Sequence, residues 1–455
     1  MVKTTEGWYT PFPGANAMLS DLLRICCAMK ARTVSDGVFL SRRPQASVEG
    51  EDLGFHPLFR FAPAVVDRAA RRVTCSFLGT GLFAATAVFI DGLGSVLLCG
   101  RNEEDVRARL RMPPPPEDAF PADAPWPLGD GEAHGPPPAG VDAAGLEAAA
   151  ERLFTEPARG PRLRTRAVLI ARDDRILLER YAPGIGSDTP LLGWSMGKSI
   201  VAVLAGILAA QARLRREDAA DPRRNLTVDQ FLRMSSGLRW IEAYEKDPVT
   251  DVQRMLYLEP DMAAFASGHP GGAAPEAEWM YSSGSTNIVC RRMRDAFPDL
   301  GSYLGFPVRE LFSRIGMRHA TLATDAAGTF IGSSYPFATA RDYARFGLFC
   351  LQDGVWAGRR ILPEGWMAYV TTPTPKAPRG SYGASFWLNR GSPGDPSDRP
   401  FPTLPPDLYY ANGHQGQAIV VVPSRRLVVV RLGMSWAGQW GAEEFMSAVL
   451  AALHE

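Results

Sequence analysis

The chain has 455 residues, of which 46% are hydrophobic and 22% charged, as is usual for a soluble protein with a large core and several structural layers. Lysine and arginine together number 49, as do aspartate and glutamate, so the formal net charge is zero. This balance argues against nucleic acid or an anionic membrane as the main partner. The six cysteines form no C-x-x-C pair, so we predict no zinc site, no disulfide framework, no metal and no cofactor.

The first residues carry no apolar stretch of the kind found in signal peptides, which favours a cytoplasmic location and leaves a periplasmic one open. Residues 77–100 approach the length of a membrane span. Because Asp91 and repeated glycines interrupt this run, we predict short buried strands there and no membrane span. We therefore treat residues 1–111 as an N-terminal extension of unclear role, and residues 112–140 as a Pro-rich linker or surface wrap.

Residues 141–455 are predicted to form one further domain. Its expected elements are a helix at 145–154, a hairpin at 165–184, a buried apolar helix at 195–214, a hairpin at 411–433 and a last helix at 442–455. Helices and loops dominate between about 215 and 370. The predicted fold class is therefore α/β (α+β): one antiparallel sheet built from both chain ends and flanked by helices, with a mainly helical region inserted.

The stretch "LLGWSMGKSI", residues 191–200, matches three short motifs. A phosphate-binding P-loop would need glycine where Leu192 stands, so the loop is one residue too short. The G-x-S-x-G of a nucleophile elbow requires a strand that leads directly into the serine, and a Pro- and Gly-containing loop precedes it here. The third motif is S-x-x-K, formed by Ser195 and Lys198.

The S-x-x-K interpretation has sound physical chemistry. A serine in the first turn of a helix lies on the same face as a lysine three residues later. Burial in an apolar helix lowers the pKa of the lysine towards a form that accepts a proton, and the helix N-terminus favours a developing negative charge. The alternative without catalysis is a buried serine beside a lysine that extends to solvent.

Further motifs follow in a characteristic order: "DQFLRMSSGLRW" at 229–240, "WMYSSGSTNIV" at 279–289, the long segment 337–367 and "ANGHQGQ" at 411–417. Together with "GWSMGKS" they resemble the serine hydrolases of the β-lactamase-related superfamily. The likeness is greatest to class C β-lactamases, carboxylesterases of that fold and 6-aminohexanoate-dimer (nylon-oligomer) hydrolases. It spans about residues 160–455 and implies a β-lactamase/DD-peptidase-like fold.

The resemblance implies roles for individual residues. Ser195 matches the acylated nucleophile and Lys198 its S-x-x-K partner. Tyr281 matches the tyrosine that acts first as general base and then as acid towards the leaving group. Ser283 takes the third place of that tyrosine's motif, where the lactamases carry Asn. Tyr244 matches a tyrosine that closes over substrate in the nylon-oligomer hydrolases.

The segment "HQGQ", residues 414–417, falls where true lactamases carry K-T-G. His414 then replaces the lysine, Gly416 would let the backbone approach substrate, and the N–H of Gln417 would complete an oxyanion hole with that of Ser195. The missing lysine argues against efficient β-lactam hydrolysis, since a neutral His414 offers a hydrogen bond and not a fixed charge. A Ser-His-Asp triad based on His414 is an alternative, but no nearby motif supplies its acid.

We therefore expect an acyl-enzyme on Ser195 and hydrolysis of a carboxylic ester or a small linear amide. A transacylase that uses the same acyl-enzyme, or a non-catalytic binding homologue, are the alternatives. The expected partner is a small-molecule ester or amide, and a homodimer is possible on the sequence alone.

Overall fold

The computed structural model describes residues 15–131, 138–243, 249–435 and 438–454. The helices are α1 (Ala15–Ser35), α2 (Gln45–Ser47), α3 (Glu103–Arg109), α4 (Ala143–Phe154), α5 (Met196–Ala210), α6 (Val228–Leu232), α7 (Asp251–Leu258), α8 (Met262–Ser267), α9 (Ser283–Arg294), α10 (Leu300–Leu304), α11 (Ala340–Leu351), α12 (Trp366–Val370) and α13 (Ala442–Ala451). The strands are β1 (Ala64–Asp67), β2 (Arg72–Phe77), β3 (Leu82–Ile90), β4 (Gly94–Leu97), β5 (Thr165–Arg172), β6 (Arg175–Tyr181), β7 (Leu191–Leu192), β8 (Ala219–Asp221), β9 (Leu226–Thr227), β10 (Thr321–Leu322), β11 (Pro336–Ala338), β12 (Val355–Trp356), β13 (Arg359–Arg360), β14 (Trp387–Leu388), β15 (Tyr409–Gly413), β16 (Gln417–Val422) and β17 (Leu427–Gly433).

Six of these strands form an antiparallel sheet in the order β14-β15-β16-β17-β5-β6. Strands from the two ends of the domain meet where β17 pairs with β5, with Val429 opposite Ile170. Side chains alternate between the two faces. Leu169, Val428 and their neighbours pack with α5 and α11, whereas Ile170 and Val429 pack with α4 and α13. The predicted antiparallel sheet from both chain ends, with helices on its faces, is confirmed.

The predicted local elements are also present. The hairpins at 165–184 and 411–433 are β5–β6 and β16–β17, and a helical turn at Pro423–Arg425 joins the second pair. Helix α5 is buried from Met196 to Leu208, as its all-round apolar sequence predicts. Short strands such as β8 to β11 interrupt the mainly helical region between the two halves of the sheet.

The N-terminal segment folds as a second sheet, β1-β2-β3-β4, with α1 packed against it. Residues 77–100 form strands, as predicted, and none of the helices in the described ranges is long and apolar enough to cross a membrane. This unit shares one hydrophobic core with the larger domain. Asp21 of α1 pairs with Arg254 of α7 at 2.7 Å, and Ser41 Oγ donates to the carbonyl of Pro190 at 2.7 Å, just before β7.

The Pro-rich segment lies against α11 and is fixed there by a fully buried arginine. Arg345 donates to the carbonyl oxygens of Pro127 and Gly129, and it pairs with Asp130 at 2.7 Å and with Asp342 at 2.8 Å. Trp126 of the same segment is 4% exposed. Where it is described, the segment is thus an ordered wrap over the larger domain.

The substitution Arg345→Leu should lower the free energy of unfolding by about 3–5 kcal/mol, because it leaves the buried Asp342 carboxylate without its cation. Denaturant unfolding followed by tryptophan fluorescence measures this change. The matched control is Arg360→Leu, which removes a half-exposed pair with Asp353 and should cost at most about 1 kcal/mol. Equal costs for the two variants would contradict the structural role given to Arg345.

Candidate active site

Ser195 stands at the point where β7 ends and the buried helix α5 begins. Leu192 of β7 pairs with Phe337 of β11, and the N–H of Gly193 continues the pairing by donating to the carbonyl of Pro336 at 2.8 Å. Trp194 then takes a left-handed conformation with φ of 49°, which is uncommon for a bulky residue. Ser195 follows as the N-terminal flanking residue of α5, with its side chain half-buried.

The two glycines around this serine are required by close packing. A Cβ at Gly193 would lie 2.4 Å from the hydroxyl oxygen of Tyr343, and one at Gly197 would lie 2.4 Å from the carbonyl oxygen of Gly332. Larger side chains at either position would displace the turn that carries Ser195. The G-x-S-x-G pattern therefore reflects the packing of a tight loop-to-helix entry.

Lys198 lies one helical turn after Ser195 and is 1% exposed. Its Nζ donates to Ser195 Oγ at 2.9 Å, to Ser283 Oγ at 3.0 Å and to the carbonyl of Ser333 at 3.2 Å. Burial lowers the pKa of Lys198 to about 8, although the charge of Glu242 acts in the opposite direction. At neutral pH an appreciable share of this amine is therefore unprotonated.

Glu242 orients Ser283 relative to the lysine. The Ser283 hydroxyl donates to Glu242 Oε1 at 2.5 Å, and the Ser283 N–H donates to Glu242 Oε2 at 2.9 Å. The indole of Trp240 donates to the same carboxylate at 2.6 Å. Since the hydroxyl proton of Ser283 is committed to Glu242, its oxygen faces Lys198 as an acceptor.

Tyr281 completes the group around the nucleophile. Its hydroxyl lies beside the Ser195 side chain, and the centroid of its ring lies 4.6 Å from Lys198 Nζ. Tyr382 and Trp387 pack against the ring, with centroids at 5.9 Å and 5.5 Å. Burial, and next the charge of Glu242, raise the pKa of the Tyr281 phenol above its usual range. The structure thus brings Ser195, Lys198, Tyr281 and Ser283 together.

His414 lies on another side of the nucleophile turn, where its ring meets that of Trp194 edge to face at 5.4 Å. Burial lowers the pKa of His414 to about 4, so the imidazole is neutral at pH 7. The neutral imidazole can give or accept a hydrogen bond but supplies no positive charge.

The hairpin predicted over 411–433 is wrong in one respect, because residues 414–416 form a helical turn between β15 and β16. Gln417 is the first residue of β16. Its side-chain amide donates to the carbonyl oxygens of His414 and Gly433. Gly416 has φ of +83°, and a Cβ there would lie 2.7 Å from Nη1 of Arg431. The space at Gly416 is thus used for packing against Arg431 inside the protein.

Arg431 holds this turn in place. Its guanidinium is fully buried and donates to the carbonyl oxygens of Gln415 and Gly416 at 3.1 and 3.0 Å. It also donates to the carbonyl of Leu163 at 2.6 Å. Burial lowers the pKa of Arg431 to about 9. Arg431 therefore fixes the turn at 414–416, which leads into Gln417, the proposed second oxyanion donor.

Sequence reasoning missed Glu242, Ser333 and Arg431. Ser333 contributes only a backbone carbonyl, which any residue could supply, and Arg431 lies in an ordinary strand. Glu242 lies two residues before the predicted Tyr244, and no spacing rule singles it out. Tyr244 itself lies outside the described residues.

The larger domain of this chain is similar to known proteins. The Beta-lactamase family profile matches residues 150–443, which is well over half of the chain. A 6-aminohexanoate-dimer hydrolase from Paenarthrobacter ureafaciens is 25% identical over 331 residues, covering 64% of this chain and 78% of that protein.

Two solved structures share the fold. A proposed 6-aminohexanoate-dimer hydrolase from Bacillus anthracis has a TM-score of 0.52 and 21% identity over 63% of this chain and 78% of its own. EstCE1, described as a hydrolase with promiscuous acyltransferase activity, has a TM-score of 0.51 and 13% identity over 69% of this chain and 98% of its own. On the profile match and the shared fold, this chain belongs to the Beta-lactamase family and is a hydrolase.

Proposed function

We propose that the protein hydrolyses a carboxylic ester or a small linear amide through an acyl-enzyme on Ser195. The observation that carries the proposal is the 2.9 Å hydrogen bond between Ser195 Oγ and the buried amine of Lys198. Burial lowers the pKa of that amine to about 8, so it can accept a proton near neutral pH.

The hydrogen-bond partners of Lys198 determine which group can give a proton to the neutral amine. The carbonyl of Ser333 has no proton to give, and the hydroxyl proton of Ser283 is bound to Glu242. Once Lys198 is neutral, its lone pair can therefore take a proton from Ser195. The serine oxygen then attacks the acyl carbon, and the proton resides on Lys198.

Tyr281 suits the role of proton donor to the leaving group. Its raised pKa keeps the phenol protonated at neutral pH, so it does not act as a phenolate base on its own. Its hydroxyl lies beside the Ser195 side chain. The phenol can pass its proton to the departing alcohol or amine, and the proton that Lys198 took from Ser195 then returns to the phenolate. Water then releases the acid by the reverse sequence.

The oxyanion would be held by backbone N–H groups of Ser195, at the start of α5, and of Gln417, at the start of β16. Both positions follow sharply turned residues, Trp194 with φ of 49° and Gly416 with φ of +83°. Rigid donors of this kind stabilise the oxyanion because they need no reorganisation as the charge forms.

The residue at the position of the lactamase lysine favours esters and linear amides over β-lactams. His414 is neutral and therefore gives no fixed positive charge for a β-lactam carboxylate. The relative from Paenarthrobacter ureafaciens is named for the 6-aminohexanoate dimer, which adds support for an amide.

A fluorophosphonate probe should add one adduct to the wild type, and tryptic mapping should place it on Ser195. Ser195→Ala should lose the adduct and at least about 10⁴-fold in kcat, because the acyl-enzyme can no longer form. Ser187→Ala, which changes an exposed serine of the preceding loop, should keep both. Labelling that persists in Ser195→Ala would refute the proposal, and added hydroxylamine separates hydrolysis from acyl transfer.

The pH profile of kcat/KM should rise through an apparent pKa near 8 as Lys198 loses its proton. In Glu242→Gln this apparent pKa should fall, because the carboxylate that stabilises the ammonium form is gone. The glutamine can still accept from Ser283, so the geometry is kept. Stopped-flow ester hydrolysis from about pH 6 to about pH 10 measures both.

The control for this profile is Glu276→Gln, an exposed carboxylate of the same region, which should leave the midpoint unchanged. A wild-type profile without a rise near pH 8, or a midpoint that increases in Glu242→Gln, would contradict the role of Lys198.

A further inference from the structure

A cavity of 570 Å³ lies between the N-terminal unit and the nucleophile turn. This volume is typical of a small-molecule site. The Beta-lactamase profile begins at residue 150, so the half of the cavity wall that comes from the N-terminal unit lies outside the matched region. The cavity is thus a feature of this chain's own extension.

One wall is a single face of α1. Leu22, Ile25, Cys26, Met29 and Thr33 line the cavity, and their spacing of three or four residues places them on one side of the helix. Leu53, Phe55, Leu58 and Phe59 extend the same wall, with His56 among them. Apart from Thr33 and His56, these side chains are apolar.

The opposite wall belongs to the candidate active site. It contains Leu191 and Leu192 of β7, Trp194 next to the nucleophile, and His414 and Gln417 of the turn that would hold the oxyanion. Arg162, Arg164 and Arg166 also line the cavity, and the first two are exposed. Asp52 also lines the cavity, and its carboxylate is paired with Arg43 and Arg166.

The position of Tyr281 indicates which part of the substrate would face the cavity. If Tyr281 protonates the leaving group, the leaving group departs on the side of Lys198 and Tyr281. Trp194, the residue before the nucleophile, and the 414–417 turn both belong to the cavity wall. An acyl substituent that extends away from Lys198 and Tyr281 on this side would enter the cavity.

We propose that this cavity binds the acyl part of the substrate and that the preferred acyl group is an uncharged aliphatic chain of medium length. The inference rests on the proposed acyl-enzyme at Ser195. The apolar face of α1, together with Leu53, Phe55, Leu58 and Phe59, disfavours a charged acyl group along that wall, and each methylene buried there should favour the reaction.

The test compares p-nitrophenyl esters from acetate to laurate. In the wild type, kcat/KM should rise about fourfold per methylene up to hexanoate or octanoate and then fall. Met29→Trp fills the cavity and should move the optimum to a shorter chain, whereas Met29→Ala should move it to a longer one. Leu19→Trp, on the same helix but 55% exposed and outside the cavity, should leave the optimum in place.

A second measurement separates failure of the cavity from failure of the chemistry. Isothermal titration of Ser195→Ala with hexanamide needs no turnover, and Met29→Trp in that background should weaken binding at least about fourfold. If the wild type forms an acyl-enzyme but neither Met29 variant moves the chain-length optimum, the acyl-pocket inference is wrong. If no ester reacts while hexanamide binds in a Met29-dependent way, the chemistry at Ser195 is wrong and the cavity is not its acyl site.

Discussion

The structure around the candidate site depends on a buried ammonium group that has no carboxylate paired directly with it in the described part of the chain. Lys198 is 1% exposed, and three neutral oxygen atoms surround its Nζ. Such an environment favours loss of the proton, because the neutral amine is easier to bury than the ammonium form. Glu242 counteracts part of this effect through its charge, while Ser283 stands between the two groups. The pKa of the amine is thereby kept at about 8, where the amine can both accept and return a proton.

The rest of the fold holds Ser195, Lys198 and the turn before β16 in position. Helix α5 is buried along most of its length, so Lys198 cannot extend to solvent. Close packing at Gly193 and Gly197, together with the left-handed Trp194, fixes where the helix begins and therefore where Ser195 stands. Backbone strain of this kind is maintained only where surrounding contacts compensate for it. On the sheet side, Arg431 fixes the turn before β16 through backbone carbonyl oxygens.

Much of this could be predicted from local sequence. Alternating strands, the turn at Pro423 and the apolar run of α5 specify their elements through periodicity, and S-x-x-K spacing places serine and lysine on one face. Tyr281 required resemblance to a family, because no local rule links it to Ser195 across more than 80 residues of chain. Glu242 and Ser333 depend on tertiary packing alone. The predicted hairpin over 411–433 is interrupted at 414–416 because Gln415 takes a left-handed conformation, with φ of 62°, which bends the chain between β15 and β16.

The central claim is that Lys198 is a weakly basic amine, and NMR can measure this directly. The chain contains only five lysines, Lys3, Lys30, Lys198, Lys246 and Lys376, so ¹³Cε,¹⁵Nζ-lysine labelling gives few signals, and Lys198→Arg assigns the one of interest. The account predicts a Lys198 titration midpoint of about 8, well below the value of about 10.4 for an unperturbed lysine. A Lys198 signal that titrates at about 10 or above would contradict the proposed proton transfer from Ser195.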